Sequence, residues 1–528
     1  MARGSIPVLI VLYCAIYHSQ ICDAGILKAG KVYPTLIEER SSVGELTLRI
    51  NQDLVLNLQR TSVFSDTFQL SSFDGDTMLT RNIRSEVIEK NLYHDTQRGA
   101  AVIVSDTDGL RVEGMIGDRL RISPSNTAER SAAGHLAHEI FEIKIQSSEG
   151  NDISPEPPNR HLVSTNASKH FDITAMERAR RGIKVVITPE VHLLVDSALT
   201  KQFNNTESIA SYYAVFTAFV NLKFKTLEEW LDVQLVITKI TTYSNTSETF
   251  VKKPPGNESV ILTDSLEKLR HFIKNKSEFS TDDLVVLLTG RDIAVYNSES
   301  QKVESEGTSG YAYVGGACRD SRVGMVEDKA NMFTGTHTFV HEVGHLLGMS
   351  HDGDNAPEHI KNSPGATKCS PSDGYIMAPT YDVHSYHLFS VCSSEQLFAF
   401  RMDPHTTCFN NAPQRHNKPL KYDEIRDKAV SAQTFCELKH PGKNVTYLQA
   451  YNGSEYYDLM RCDIICSWSD GNLSYLSFYD APDNTPCYKE DPSLVCINKD
   501  CSVIPTDLKT FTAIPEEAKP SRNIYTLL

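Results

Sequence analysis

What the chain lacks bounds it first. No cysteine occurs between Cys22 and Cys318, so the first half folds without disulfides. There is no basic excess: 52 basic against 67 acidic residues leave a net charge of −15. That balance argues against a nucleic-acid partner, whose binders carry basic patches. Beyond the N-terminus no apolar run reaches the roughly 20 residues that span a bilayer. The nearest, YYAVFTAFVNLKF (212–224), reads as a buried amphipathic helix. No low-complexity tract or fixed-period repeat stands out.

What is present gives the chain direction. Its 528 residues are too many for one ordinary domain, and a 40% apolar content suffices for packed cores. Arg3 followed by the apolar run IPVLIVLYCAIY (6–17) has the layout of a signal peptide, with cleavage expected after Ala24. Of 12 cysteines, Cys14 and Cys22 lie in that segment; the other ten, an even number, fall between Cys318 and Cys501. An even, clustered set in a secreted chain reads as disulfides. Asn166, Asn204, Asn245, Asn257, Asn275, Asn444, Asn452 and Asn472 head N-x-S/T acceptor sites, consistent with a secreted glycoprotein.

Organisation follows from composition. The cysteine-free stretch 25–181 carries strand-like segments such as GELTLRIN and AAVIVSD and ends in the basic run Arg178-Ala179-Arg180-Arg181. A basic run is often only a solvated loop. Here it follows a signal segment and precedes a strand, so cleavage by a processing protease after Arg181 is expected. From 182 strands and helices alternate, an α/β signature. IKVVITPEVHLLVD (183–196), DVQLVITKI (232–240) and DLVVLLT (283–289) read as strands; IASYYAVFTAFVNLKF (209–224), SLEKLRHFIKNK (265–276, capped by Asp264 or Ser265) and SSEQLFAFR (393–401) read as helices. NNAPQRHNKPLK (410–421) reads as a linker. The rest holds six cysteines, enough for three bridges in a small loop-rich domain; a zinc knuckle on Cys462 and Cys466 is the lesser alternative.

The chemistry concentrates in HEVGHLLGMSHD (341–352). On a helix, His341 and His345 project from one face a turn apart, so two imidazoles can meet one zinc ion. Glu342 projects beside them, placed to act on a metal-bound water. The helix must then stop, because another turn would carry His351 past the ion. Gly348 can adopt the left-handed conformation that ends helices, letting His351 return as third ligand. Three protein ligands leave a position for water, the mark of a catalytic site. Zinc lowers the pKa of that water to about 7, and Glu342 takes its proton and later delivers it to the leaving amine. A core helix with buried histidines would instead leave three neighbouring imidazoles needing partners.

These residues resemble the metzincin metalloproteases, and within them the reprolysin (adamalysin) group, whose H-E-x-x-H-x-x-G-x-x-H-D form the stretch matches through Asp352. GYIMAP (374–379) is similar to the Met-turn of that family, which would set Met377 beneath the zinc. The likeness covers most of 182–411. It implies an α/β fold: a metzincin-type catalytic domain with a mixed, mostly parallel sheet, helices and a zinc cleft. A β-rich propeptide (25–181) would precede it and a disulfide-rich domain (412–528) would follow. It further implies pairing of Cys318 with Cys408 and of Cys369 with Cys392. A structural calcium on Glu190, Asp283, the Cys408 carbonyl and Asn411 is also implied. Of the two strand-like segments GYAYVGG and RVGMVED, the second would be the edge strand that pairs with an extended substrate. Pocket walls near Pro379–Tyr381 are expected.

Two departures matter. No cysteine is available in 25–181 to occupy the zinc, and the tail is too poor in cysteine for a disintegrin domain plus a full cysteine-rich domain and has no RGD. The signal segment, the cysteine-free propeptide with LYHDTQRGAAV (92–102) and the six-cysteine tail together look most like the salivary reprolysin-like proteases of ticks. The expectation is therefore a secreted, monomeric zinc metalloendopeptidase made as a zymogen, acting on matrix or plasma proteins of a host. The alternative is a binding module in which the tyrosine-rich tail carries the main activity.

Overall fold

The computed structural model describes residues 26–40, 45–74, 77–82, 85–106, 109–127, 129–143, 155, 184–274, 276–297, 300, 302–304, 308–379, 385–410, 431–440, 443–448, 462–470, 473–481, 485–488, 494–497, 500–503 and 525–527. The signal segment, the Arg178–Arg181 run, Tyr381, Asn411 and the remainder of the linker lie outside them. The chain divides into two compact units, residues 1–414 and 415–528.

In the first unit alternating sequence gives β1 (Ile26–Val32), β2 (Thr35–Arg40), β3 (Glu45–Arg49) and β4 (Val55–Arg60). Leu46 and Leu48 of β3 point inward between more exposed neighbours, the period of a half-buried strand. Next come β5 (Phe64–Asp74), β6 (Thr77–Asn82), the short helix α1 (Ser85–Glu89), β7 (Leu92–Asp95), β8 (Ala100–Ser105), β9 (Arg111–Ile116), β10 (Leu120–Pro124) and β11 (His138–Ile143). All but β5 and β6 join one nine-stranded antiparallel sheet, in the order β1-β11-β10-β9-β8-β7-β4-β3-β2. It has a core of its own around Leu48, Leu56, Val102 and Val112.

From Val185 the pattern changes to β12 (Val185–Ile187), β13 (Glu190–Val195), α2 (Ser197–Thr200), α3 (Thr206–Phe224), β14 (Leu231–Val233) and β15 (Val236–Thr242). Then follow β16 (Val260–Leu262), α4 (Ser265–Ile273), β17 (Leu284–Thr289), β18 (Asp292–Asn297), β19 (Lys302–Glu304), β20 (Gly310–Ala312), β21 (Val323–Glu327), α5 (Thr336–Leu346) and α6 (Val391–Arg401). The main sheet has seven strands in the order β20-β21-β17-β13-β15-β5-β6. The pairs from β21 through β5 are parallel, and β20 and β6 add antiparallel edges. The near-continuous apolar β17, buried throughout, is what an interior parallel strand requires.

Several details differ from the sequence reading. The strand expected over 183–196 is two: proline cannot donate to a ladder, and the break at Thr188–Pro189 separates β12, paired with β14, from β13. The partner segment 232–240 breaks at the same level, between β14 and β15. Helix α4 stops at Ile273, and neither expected cap operates as one: Asp264 makes no side-chain capping bond, and Ser265 Oγ accepts instead from the Lys252 N–H at 2.8 Å. The cap of α6 is Ser390, whose Oγ accepts from Ser393 N–H. The expectation of RVGMVED as the edge strand is corrected: β21 lies between β17 and β20 and is buried at four of its five positions, so the open edge is β20, within GYAYVGG.

The largest core spans both halves of this unit. It joins Val63, Phe64, Phe68, Leu70, Leu92, Ala101 and Met115 to α3, to the strands of the main sheet and to α5. Helix α3 opens with a reciprocal cap, in which Asn205 accepts from the Ser208 N–H while Ser208 Oγ accepts from the Asn205 N–H. Most of the helix beyond Ile209 is buried, so it is apolar on nearly every side.

The second unit has α7 (Ala432–Lys439) and strands β22 (Val445–Leu448), β23 (Asp463–Asp470), β24 (Leu473–Asp480), β25 (Leu494–Ile497), β26 (Asp500–Val503) and β27 (Tyr525–Leu527). Disulfides Cys436–Cys466, Cys462–Cys496 and Cys487–Cys501 hold it together. Cys462 and Cys466 therefore go to different partners, and the zinc-knuckle alternative falls.

Candidate metal centre

Helix α5 carries His341, Glu342 and His345, all buried, and ends at Leu346. Gly348 follows with φ of +90°, while its N–H donates to the His345 carbonyl at 2.8 Å and the Met349 N–H to the Gly344 carbonyl at 3.0 Å. That left-handed turn stops the helix and sends the chain back, so His351 returns to the histidines on the helix. Its Nε2 lies 3.1 Å from His341 Nε2 and 3.2 Å from His345 Nε2.

The tautomers can be assigned from the other ring nitrogens. His341 Nδ1 lies 2.6 Å from the Ile376 carbonyl, and His345 Nδ1 lies 2.8 Å from the Met349 carbonyl. A carbonyl only accepts, so each Nδ1 carries the proton and each Nε2 turns a lone pair inward. His351 Nε2 has at most one proton to offer, so it cannot satisfy both. A cation can: ligand bonds of about 2.0–2.1 Å at tetrahedral angles put nitrogens about 3.3 Å apart. The donor set thus fits zinc, and the carbonyls at Nδ1 are the outer partners that zinc-binding histidines use. These three residues form a buried triad able to hold a metal ion.

Other expected residues gather around it. Met377 is fully buried, and its sulfur packs on Gly344, where a β-carbon would come within 2.5 Å. The Met377 carbonyl accepts from the Asp352 N–H at 2.9 Å, and Asp352 Oδ1 accepts from Ser390 Oγ at 2.7 Å. Asp352 thereby links the turn after the helix both to the Met377 segment and to the start of α6. Burial raises its pKa, and the Ser390 bond opposes that. A β-carbon on Gly310 would lie 2.5 Å from Glu342 Oε1, so the open edge strand β20 runs beside that carboxylate. The continuation of β20 is tied to α5 by Gly315 N–H to the His345 carbonyl at 2.7 Å and Ala317 N–H to the Leu346 carbonyl at 3.0 Å.

The structure joins Cys318 to Cys408 and Cys369 to Cys392. Of the four residues expected at a calcium site, Asp283 Oδ2 accepts from the Glu190 N–H at 2.9 Å, and Asp283 stands beside the Cys318–Cys408 bridge. Burial first, then the neighbouring Glu190 and Asp282, push Asp283 up to about 7. Asn411 and Arg181 lie outside the described residues; Pro379 is within them and Tyr381 is not.

One part of the site left no mark in the sequence reading. The loop entering α5 is organised by Asp328, a fully enclosed carboxylate that accepts from Tyr212, Tyr213 and the Gly335 N–H. Phe333 stacks on Tyr212 with ring centroids 4.2 Å apart. The two tyrosines lie more than a hundred residues from Asp328 and Phe333, so no local pattern could disclose them.

Comparison with known proteins identifies the class. Residues 188–390 match a reprolysin-type family model described as Metallo-peptidase family M12. The chain is 26% identical over 389 residues to venom metalloproteinase antarease TserMP_A of Tityus serrulatus, covering 71% of this chain and 92% of that one. It is 24% identical to venom metalloproteinase BumaMPs1 of Olivierus martensii, over 66% of this chain and 84% of that one. A Bombyx mori protein named as a disintegrin and metalloproteinase with thrombospondin motifs like is 26% identical, over 60% of this chain and 50% of its own length. The chain is thus a metalloendopeptidase with an M12 metallopeptidase domain. More narrowly, the match of residues 188–390 and the venom metalloproteinase relatives support a metzincin of the reprolysin group; M12 metallopeptidases use zinc. Among the described residues no helix is long and apolar enough to cross a membrane.

Proposed function

We propose that this chain is a secreted zinc endopeptidase made as a zymogen, with a signal peptide (1–24), a propeptide (25–181), a catalytic domain (182–411) and a cysteine-rich C-terminal domain (412–528). The observation that carries the catalytic part is the convergence of three histidine Nε2 atoms, those of His341 and His345 presenting lone pairs, next to the buried Glu342. His341, His345 and His351 would hold zinc, and Met377 would support the floor of the site. When bound, zinc supplies a Lewis acid and an acidified water.

The chain's own residues do the rest. Strand β20 presents open backbone to an extended substrate, fixing a peptide bond beside the carboxylate of Glu342. Glu342 accepts a proton from the attacking water and returns it to the leaving amine. Its near-complete burial keeps bulk water from competing for that proton. Asp352 orients the segment bearing His351 and steadies Met377. Extracellular proteins of a host, such as matrix or plasma components, are the substrate class that the signal segment and the likeness to salivary proteases support.

The test uses the chain cut after Arg181, assayed on a denatured protein. Hydrolysis should depend on zinc and vanish in Glu342→Ala; activity that survives either change sinks the reading. Secretion and the cut itself are read from the N-terminal sequence of protein recovered from the medium of expressing cells, expected to begin at Gly182.

A further inference from the structure

Gln396 lies in the middle of α6 and is fully buried. Its Oε1 accepts two bonds from one residue, the Ser350 N–H at 3.0 Å and the Ser350 hydroxyl at 2.6 Å. A backbone N–H only donates, so the amide must turn its oxygen, not its nitrogen, toward Ser350. The Nε2 group is also buried and has no hydrogen-bond partner among the described residues. Burying an unpaired donor is unfavourable, and an apolar side chain of similar length would fill the space without that penalty. What the amide adds is an acceptor placed at Ser350.

That acceptor bears on the metal centre through a single peptide group. The Ser350 N–H belongs to the same peptide unit as the Met349 carbonyl, which accepts from His345 Nδ1 at 2.8 Å. A trans peptide is planar, with its N–H and C=O pointing in opposite directions, so fixing one fixes the other. Hydrogen bonds arranged in such a chain also polarise one another. The residue after Ser350 is His351. One side chain of α6 is thus tied to the groups that orient two of the three imidazoles.

The rest of the returning segment repeats the pattern. Gly348 packs on Phe400, Ser350 bonds Gln396 and Asp352 bonds Ser390. Met349 and His351 face α5 instead: the Met349 sulfur lies against Gly344, and His351 Nε2 lies against the two histidines there. Such alternation is that of an extended chain, here laid along α6 in the opposite direction. Helix α6 is itself held from other sides. Ser394 Oγ accepts from the Glu228 N–H at 3.2 Å, Phe398 meets Trp230 edge-on at 5.3 Å, and Cys392 is bonded to Cys369.

We propose that Gln396 is a positioning residue of the metal centre: through the Met349–Ser350 peptide it sets the orientation of His345 and the reach of His351. The inference rests on the zinc reading of the three histidines above. Gln396 acts only through that peptide, as a partner one step behind the ligands. Such outer partners fix ring orientation and so the affinity for the ion.

The experiment measures the zinc affinity of the full chain by competition with a metal-binding dye. Gln396→Met should bind zinc at least about tenfold more weakly than the parent. Gln396→Glu keeps an acceptor oxygen at the same reach and should recover most of that affinity. Leu397→Ala, equally buried in α6, should lower stability in urea and leave zinc affinity unchanged. The metal-free chains give a readout without zinc: in hydrogen exchange, the segment 349–352 should exchange faster in Gln396→Met than in the parent or Gln396→Glu. Equal zinc affinity in the parent and Gln396→Met, or a loss of the same size in Leu397→Ala, overturns the inference. If Gln396→Met does not fold, Gln396→Asn takes its place with the same expectation, since its amide is one methylene too short to reach Ser350. A parent chain that takes up no zinc would sink the zinc reading and this inference with it, whereas zinc uptake unaffected by the variants sinks this inference alone.

Discussion

Gly348 is seated against the ring of Phe400: a β-carbon there would lie 2.7 Å from ring carbon Cγ. The same residue has φ of +90°. Space and backbone thus both demand glycine at the point where the helix must release the chain toward His351. Gly348→Ala should destabilise the protein by about 1–3 kcal/mol through strain and overpacking. It should also loosen zinc, because the third ligand would be displaced. Urea unfolding and competition with a metal-binding dye measure the two effects; unchanged values in both would contradict this account of the turn.

Glu342→Gln keeps the shape and hydrogen-bonding size of the side chain but cannot take a proton. Hydrolysis of a denatured protein should fall by about 10²–10⁴-fold, the range of general-base catalysis. Zinc content, measured by elemental analysis, should stay at one ion per chain. A variant that lost zinc along with activity would show that the carboxylate serves the metal rather than the proton transfer.

Removal of zinc with a chelator should abolish hydrolysis, and zinc added back should restore it. His345→Ala should bind zinc far more weakly, since two imidazoles remain and the catalytic geometry needs three. Its activity should not recover at zinc concentrations that restore the chelated parent. Recovery there would argue that another side chain provides the third nitrogen.

The N-terminal domain should weaken in acid. Burial, aided by the nearby Lys225, pushes His94 down to about 3 from 6.5, and burial lowers His138 as well. A depressed histidine stabilises the folded chain fully above 6.5 and loses that contribution as pH falls, by about 1.4 kcal/mol per unit down to about 3. Asp328, raised to about 6, and Glu327, raised to about 7, act in the opposite sense, so the absolute curve is a poor gauge. The comparison with His94→Gln isolates the effect. The stability advantage of the parent over that variant should shrink by about 2–3 kcal/mol between pH 7 and 4.5 in urea titrations. A pH-independent difference would place the histidine charge outside the balance.

The local pattern carried the site further than the fold. Four-residue spacing fixed the face shared by His341 and His345, and a glycine at 348 foretold the helix end, because both are properties of a single turn of backbone. Helix α3 is legible from its apolar spacing and strand β17 from its unbroken apolar run. Strand identity at the edge was not: β20 and β21 are both short, and only pairing shows which one lies outside. The cap of α4 is not legible either, because Ser265 bonds the Lys252 N–H, thirteen residues earlier, in place of its own helix.

By itself the sequence determined the three histidines, the adjacent glutamate and the turn between them, since these sit within twelve residues and need only backbone geometry to converge. Tertiary structure alone decided which carbonyls fix the imidazole tautomers, that Met377 packs under Gly344, and that Asp328 shapes the loop before the helix. It also decided that strand β5 completes the metallopeptidase sheet and that Arg121 closes on the 332–333 loop. The reason is physical: apart from the short-range His345–Met349 and Asp328–Gly335 bonds, those contacts join residues tens to hundreds of positions apart, and only the packed chain brings them within bonding distance.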